Sequence, residues 1–226
     1  MATSTYARTA PGDLAFVDGM EAIRVMRMPL WKRTMDIVGG ILLLLVLLPV
    51  LLGISFAIAI ESSGGPIFRQ ARVGKGGATF KCWKFRSMYR GADRMLSSLG
   101  HLNEANGLIF KMKDDPRRTR VGKLLRRTSL DELPQLWNVV RGSMSLVGPR
   151  PPTVPEVMEY DERELGRLAA TPGITGLWQV TLRRERHDFG DMVELDTQYA
   201  RECTLLLDLK ILAKTIPTVL SGKGSV

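Results

Sequence analysis

Cysteine and histidine are nearly absent, with two of each in 226 residues. Cys82 and Cys203 lie far apart, and His101 and His187 join neither at a metal-ligand spacing. A disulfide framework and a zinc site are therefore excluded, and a reducing compartment is expected. Aromatic residues make up only 7% of the chain, and no aromatic ladder runs beside the cations, which argues against a stacking platform for nucleic acid. Residues 1–18 hold no apolar run behind a basic start, so no cleaved signal peptide is expected. The glycine pair in Lys75–Gly76–Gly77 lacks the Lys-Ser/Thr of a P-loop and reads as a turn. Internal repeats and low-complexity tracts are missing too.

What is present is cationic and apolar. The net charge is +9, and it is uneven: Glu61 to Arg150 carries 18 Lys and Arg against 7 Asp and Glu, so +11 falls there and −2 on the rest. Such a block needs an anionic neighbour, and electrostatics alone admits phosphorylated substrate, lipid headgroups or nucleic acid, or simply a solvated basic face. With 45% hydrophobic residues, the chain suits one domain plus a membrane segment.

Ile37 to Ile60 is uncharged and long enough, at helical rise, to cross a hydrocarbon core. Pro49 divides it into halves too short to span, and cations flank both sides (Arg24, Arg27, Lys32 and Arg33 before; Arg69, Arg72 and Lys75 after), so no charge bias orients a span. Composition leaves a single span and a re-entrant hairpin both open. Trp31, Lys32 and Arg33 suit a membrane interface, ring at headgroup depth and cations on phosphates. Met20 to Trp31 reads as a flexible or interfacial lead-in.

Beyond the turn-rich Glu61 to Pro66, partial alternation in Ile67–Gly74 and Ala78–Phe85 predicts a hairpin through Lys75–Gly77. Val121, Leu124 and Leu125 predict a short helix carrying Arg118, Lys123, Arg126 and Arg127. Asp114 and Asp115 before Pro116 read most simply as turn formers, with a metal role as the weaker alternative. Glu156 to Ala170 reads as a polar helix, and Thr171 to Gln179 as a loop over the site. Leu205, Leu209, Leu212 and Ile216 form a stripe beside Lys210 and Lys214; core packing is the expected role, with a shallow membrane-surface helix as the alternative. Cys203 is expected in the core and His187 on the surface.

The chemistry-bearing stretch is Arg126 to Gln135, where Asp131 and Glu132 follow a run of cations. Leu133, Leu136, Trp137 and Val140 recur at helical spacing and Gly142 can close that helix, so the acids are expected at a helix N-terminus, which favours ionised carboxylates and phosphate docking. The plainer reading is a capping box of Ser129 with Glu132. Downstream, the prolines of Pro149–Arg150–Pro151–Pro152 stiffen the chain around Arg150, whose guanidinium is a natural fork for phosphate oxygens.

Taken together, Lys84–Phe85–Arg86–Ser87–Met88, Asp115–Pro116–Arg117, Ser129 to Gln135, Val147 to Pro151 and Pro172–Gly173–Ile174–Thr175–Gly176–Leu177–Trp178–Gln179 resemble the bacterial sugar transferase family, the monotopic polyprenyl-phosphate phosphoglycosyl transferases, over roughly residues 32 to 220. The resemblance implies an α+β, mostly helical fold: a lead-in (1–31), a re-entrant membrane helix broken at Pro49 (32–61), and a small catalytic domain with interfacial helices (62–226) on the cytoplasmic face of the bacterial inner membrane. It implies transfer of a sugar 1-phosphate from a nucleotide sugar, usually a UDP-sugar, to polyprenyl phosphate, with Mg²⁺ as cofactor and UMP as product. Asp131 matches the nucleophile, and Glu132 the acid tied to metal or proton handling. Arg150, Arg126, Arg127, Arg86, Lys84 and Gln179 are the candidate substrate-binding residues. Membrane lipids are expected partners, nucleic acid is not, and homo-oligomerisation stays open. Two departures stand out: Leu48 precedes the break where relatives often have Ser or Pro, and Thr181–Leu182–Arg183 replaces a Gly-Arg. A membrane-tethered basic module, or an inactive scaffold binding anionic lipid or nucleic acid, is the alternative, and it would need neither acid.

Overall fold

A computed structural model describes residues 23, 25–95, 112, 115–181 and 189–221. His101, Asp114, Leu182, Arg183 and His187 lie outside the described residues. The architecture is α+β and mostly helical, with two small sheets among the described residues.

Helix α1 (Leu30–Val46) runs into α2 (Leu48–Glu61) through a 62° bend. Pro49 sits in the first turn of α2, where its missing N–H is tolerated. Neither helix alone is long and apolar enough to cross a membrane.

Contrary to the sequence expectation, Lys32 and Arg33 do not point outward. Lys32 is 4% exposed, and its Nζ donates to Val147 O and Tyr199 Oη, both at 2.9 Å, and to Asp208 Oδ2 at 2.5 Å. Arg33 donates to Val139 O and Val140 O at 2.7 Å each, at the C-terminal end of α4 (Gln135–Arg141), where free carbonyls and the helix dipole favour a cation. One turn on, buried Asp36 accepts from Ser145 Oγ at 2.9 Å and Leu146 N at 2.8 Å. Gly39 and Gly40 permit the close approach, since a Cβ on Gly39 would strike Leu146 and one on Gly40 would crowd Val140. The first half of α1 is thus fastened to the domain. Ile41, Leu42, Leu45, Val46, Leu48, Leu52, Phe56 and Ile60 stay exposed.

The expected hairpin forms as β1 (Ile67–Val73) antiparallel to β2 (Thr79–Phe85), joined by a 3₁₀ turn at Lys75–Gly77 in which Gly76 has φ +65°. Glu61 at the end of α2 accepts from Arg120 N and Val121 N at 2.7 and 2.9 Å, and with Thr119 it caps α3 (Arg120–Thr128). The α3 stripe is narrower than its pattern implied: Leu125 is buried and Leu124 exposed. Gly142, φ +89°, ends α4 as expected.

Three other expectations are corrected. Trp137 is exposed, and the buried face of α4 is Gln135, Leu136, Asn138 and Val139. Residues 156–170 are not one helix: capping boxes at Thr153/Glu156 and Asp161/Glu164 start separate turns, α5 (Val154–Val157) and α6 (Glu162–Leu165), before a 3₁₀ turn at Gly166–Ala169. Thr171–Gln179 is not a loop. It holds β4 (Gly173–Thr175), parallel to β3 (Ser145–Val147), and the start of α7 (Leu177–Thr181).

Helices α8 (Phe189–Glu202) and α9 (Leu205–Leu220) complete the described chain. The α9 stripe expected in the core is overturned: Leu205, Leu209 and Ile216 are exposed, Leu212 is only partly buried, and Asp208, Ile211 and Thr218 face inward. The main core joins Cys82, Leu136, Val139, Met144, Leu146, Val147, Tyr199 and Ile211. Each large side chain buried there contributes about 1.5–3 kcal/mol. Cys203 is only partly buried at its edge.

Candidate active site

Cross-strand pairing places Gln70 beside Cys82 and Arg72 beside Phe80, so Gln70, Arg72, Cys82 and Lys84 share one face of the hairpin. That face forms one wall of a cleft. Glu132 and Gln135 come from the turn and helix opposite, Arg150 and Pro151 from the proline-stiffened segment, and Gly173, Ile174 and Gln179 from β4 and α7.

Asp131 and Glu132 occupy a 3₁₀ turn, Leu130–Glu132, and not the first turn of α4, which starts at Gln135. Ser129 takes the left-handed conformation (φ 58°) that ends α3, and its side chain makes no cap bond to the 3₁₀ turn, so the capping box does not form. Pro134 is the N-cap of α4, leaving Asp131 no capping role there.

Asp131 is 8% exposed. Burial pushes its pKa above the ordinary carboxylate range; Lys84 opposes that, Glu132 adds to it, and Arg126 and Arg150 oppose it. The sequence expectation of a carboxylate favoured in its ionised form is corrected here, because loss of water outweighs the neighbouring cations. A raised pKa beside a cleft that holds charged groups is a mark of functional carboxylates; Asp131 adjoins the lining residue Glu132 without lining the cleft itself.

Lys84 Nζ donates to Glu132 Oε1 at 2.7 Å, and Arg150 Nη1 lies 3.7 Å from the same oxygen. Arg150 is 41% exposed and thus accessible from the cleft. Arg126 donates from Nε to Ser87 Oγ at 3.0 Å; burial lowers its pKa, and the Asp131 charge resists that shift. The α3 helix that carries Arg126 fits only because Gly122 has no Cβ, which would overlap the Ser87 carbonyl. Gln179 is buried, donates to Ile174 O at 3.3 Å, and keeps a buried Oε1 without a partner.

Three expected substrate-binding residues lie outside the cleft lining, Arg126 on Ser87 being the first. Arg86 spends its guanidinium on the carbonyls of Gly64 and Gly65 at 2.8 Å each, and Arg127 is exposed on α3 outside the cleft lining. Arg72, Cys82 and Gln135 line the cleft without having been singled out for it. The Gln70–Arg72 strand alternation was the one available signal.

Among the described residues, no group of three or more His, Cys, Asp or Glu converges. Of the two adjacent acids, Glu132 lines the cleft and the buried Asp131 does not. Carboxylate oxygens are the donor type that Mg²⁺ takes, one or two of them completed by substrate phosphates and water, although Glu132 Oε1 is paired with Lys84 here.

The family model described as bacterial sugar transferase matches residues 27–222. The galactosyl transferase CpsE of Streptococcus agalactiae is 46% identical over 195 residues, covering 86% of this chain and 43% of the relative. The exopolysaccharide production protein ExoY of Sinorhizobium fredii is 41% identical over 198 residues, covering 86% and 87%. An undecaprenyl-phosphate galactose phosphotransferase of Salmonella typhimurium is 42% identical over 203 residues, covering 86% and 41%. The chain therefore spans less than half the length of two of these relatives and most of the third.

Proposed function

The chain belongs to the bacterial sugar transferase family, and from that premise we propose that it transfers a sugar 1-phosphate from a UDP-sugar to polyprenyl phosphate through a covalent intermediate on Asp131, starting a surface glycan. The observation that carries this is the buried Asp131 carboxylate, its pKa raised by burial, beside a cleft walled by Lys84, Arg150 and Arg72. The Salmonella relative's name specifies an undecaprenyl-phosphate acceptor and a galactose phosphate.

The donor diphosphate enters among the cleft cations. Asp131 Oδ attacks the sugar-bearing phosphorus; the bond from that phosphorus to the bridging oxygen breaks, and UMP leaves with the electron pair. A carboxylate with little water around it has little hydration to shed, which favours attack. Lys84 holds Glu132 in place, and Arg150 offers a fork to the phosphate oxygens. Asp131 and Glu132 would hold Mg²⁺, which when bound offsets charge on the donor diphosphate. A polyprenyl phosphate oxygen then attacks the same phosphorus, releasing polyprenyl-diphosphate-sugar and restoring the Asp131 carboxylate.

A lipid acceptor calls for a site at a membrane surface. In this reading the exposed apolar part of the bent α1–α2 pair, beyond the α1 turns fastened through Lys32, Arg33 and Asp36, re-enters on the cytoplasmic face of the inner membrane, with residues 62–226 as the catalytic domain below it. The exposed Leu205, Leu206, Leu209 and Ile216 of α9 lie in the interface, which supports the surface-helix alternative for that stripe. UMP release from a panel of UDP-sugars with polyprenyl phosphate tests the assignment. Release with none of them would overturn it.

A further inference from the structure

Arg72 is an expensive residue to place where it is. It is half-buried, and burial, followed by the charge of Arg150, lowers its pKa, with the charges of Glu156 and Glu132 opposing. Among the described residues it makes no ion pair. Its three hydrogen bonds end on neutral oxygens: Nε and Nη2 on Gln70 Oε1 at 3.1 and 2.8 Å, and Nη1 on Pro151 O at 2.9 Å. A guanidinium carries five N–H donors, so two remain after these three bonds. Cations drawn this far out of water are ordinarily paired with an anion. Here two guanidinia from different segments, Arg72 on β1 and Arg150 beside Pro151, line one cleft with only Glu132 as an acid among the lining residues. Gln70 and Pro151 hold the guanidinium, and a bond from Val73 N to Pro152 O at 2.9 Å ties β1 to the proline segment. A planar fork held in this way is preorganised for two oxygens of one anion.

We propose that Arg72 binds the donor diphosphate directly, as a second guanidinium paired with Arg150, and also sets Arg150 through Pro151. The assignment rests on reading the cleft as the nucleotide-sugar site. The Gln70 carboxamide is then a positioning group, holding the Nε edge of Arg72 so that the opposite edge serves the ligand.

The test uses the full chain in detergent micelles, with inorganic pyrophosphate as the binding probe and UDP-sugar turnover as the second readout. Pyrophosphate should raise the unfolding temperature of the wild type and fail to do so for Arg72→Gln, which removes the charge and the fork. The donor kcat/KM of that variant should fall roughly tenfold to a hundredfold, the usual effect of losing a charged hydrogen bond. Arg72→Lys, with charge but no fork, should fall between. A variant that loses turnover yet keeps the wild-type pyrophosphate shift makes Arg72 a strut for the proline segment and overturns the proposal. So does a failure of both variants to fold. If the wild type shows neither the shift nor UMP release, the reading of the cleft itself fails.

Discussion

Replacing Lys32 by Met should cost far more than a lipid-facing cation could. Lys32 Nζ is fully engaged by Val147 O, Tyr199 Oη and Asp208 Oδ2, and Asp208 is 0% exposed. Removing the ammonium leaves the Asp208 carboxylate buried with one neutral donor, Tyr199 Oη, at 2.7 Å. Burial, with the Asp208 charge next, pushes the Tyr199 phenol well above its ordinary pKa, so it stays protonated and cannot take over the charge. Breaking one partner of a buried pair costs about 3–5 kcal/mol. At about 2–4 °C per kcal/mol for a chain of this size, unfolding should occur roughly 6–20 °C lower. The assay is thermal unfolding followed by tryptophan fluorescence in detergent micelles. Lys32→Met combined with Asp208→Leu should recover much of the loss, because no charge is left buried. A single variant within about 1 kcal/mol of wild type, the range of an exposed ion pair, would refute the reasoning.

Other outcomes follow from the same geometry. Asp131→Asn should abolish turnover while raising stability at neutral pH. A carboxylate whose folded pKa is raised costs nothing below the ordinary carboxylate range and its full penalty above the raised value, so the stability gap between variant and wild type should close as pH falls. A variant less stable than wild type at pH 7 contradicts this. Arg150→Lys keeps charge without the fork; donor kcat/KM should drop about tenfold or more, and near-normal donor saturation would remove Arg150 from the phosphate site. Cysteines placed at Ser4 and Ser225, in a background lacking Cys82 and Cys203, should react only from the cytoplasmic side. Periplasmic labelling of either rules out the re-entrant hairpin.

Features held by local chemistry were legible in the sequence. The β1–β2 hairpin is written in alternation and a Gly-Gly turn, α3 in Val121 and Leu125, and the end of α4 in Gly142. Asp131 and Glu132 were recognisable as a pair, but their 3₁₀ turn was not, because Pro134 shifts the start of α4 to Gln135. The burial of Lys32 is not legible because its partner, Asp208, lies 176 residues away, and no local pattern distinguishes a cation at a headgroup from one in a core. The α9 stripe was misassigned for a related reason: periodicity marks an apolar face without saying whether protein or lipid covers it. The breaks in 156–170 carried a readable signal, two Thr/Asp-x-x-Glu boxes, which outweighed the polar helical pattern. Arg72 had none beyond its place in a strand.

Intact-mass analysis of wild-type protein given a UDP-sugar donor and no acceptor tests the central claim most directly. The expected result is an added sugar phosphate, mapped to the peptide containing Asp131 and absent from Asp131→Asn, with one UMP released per adduct. An unmodified mass, with UMP appearing only once polyprenyl phosphate is present, would contradict the covalent mechanism.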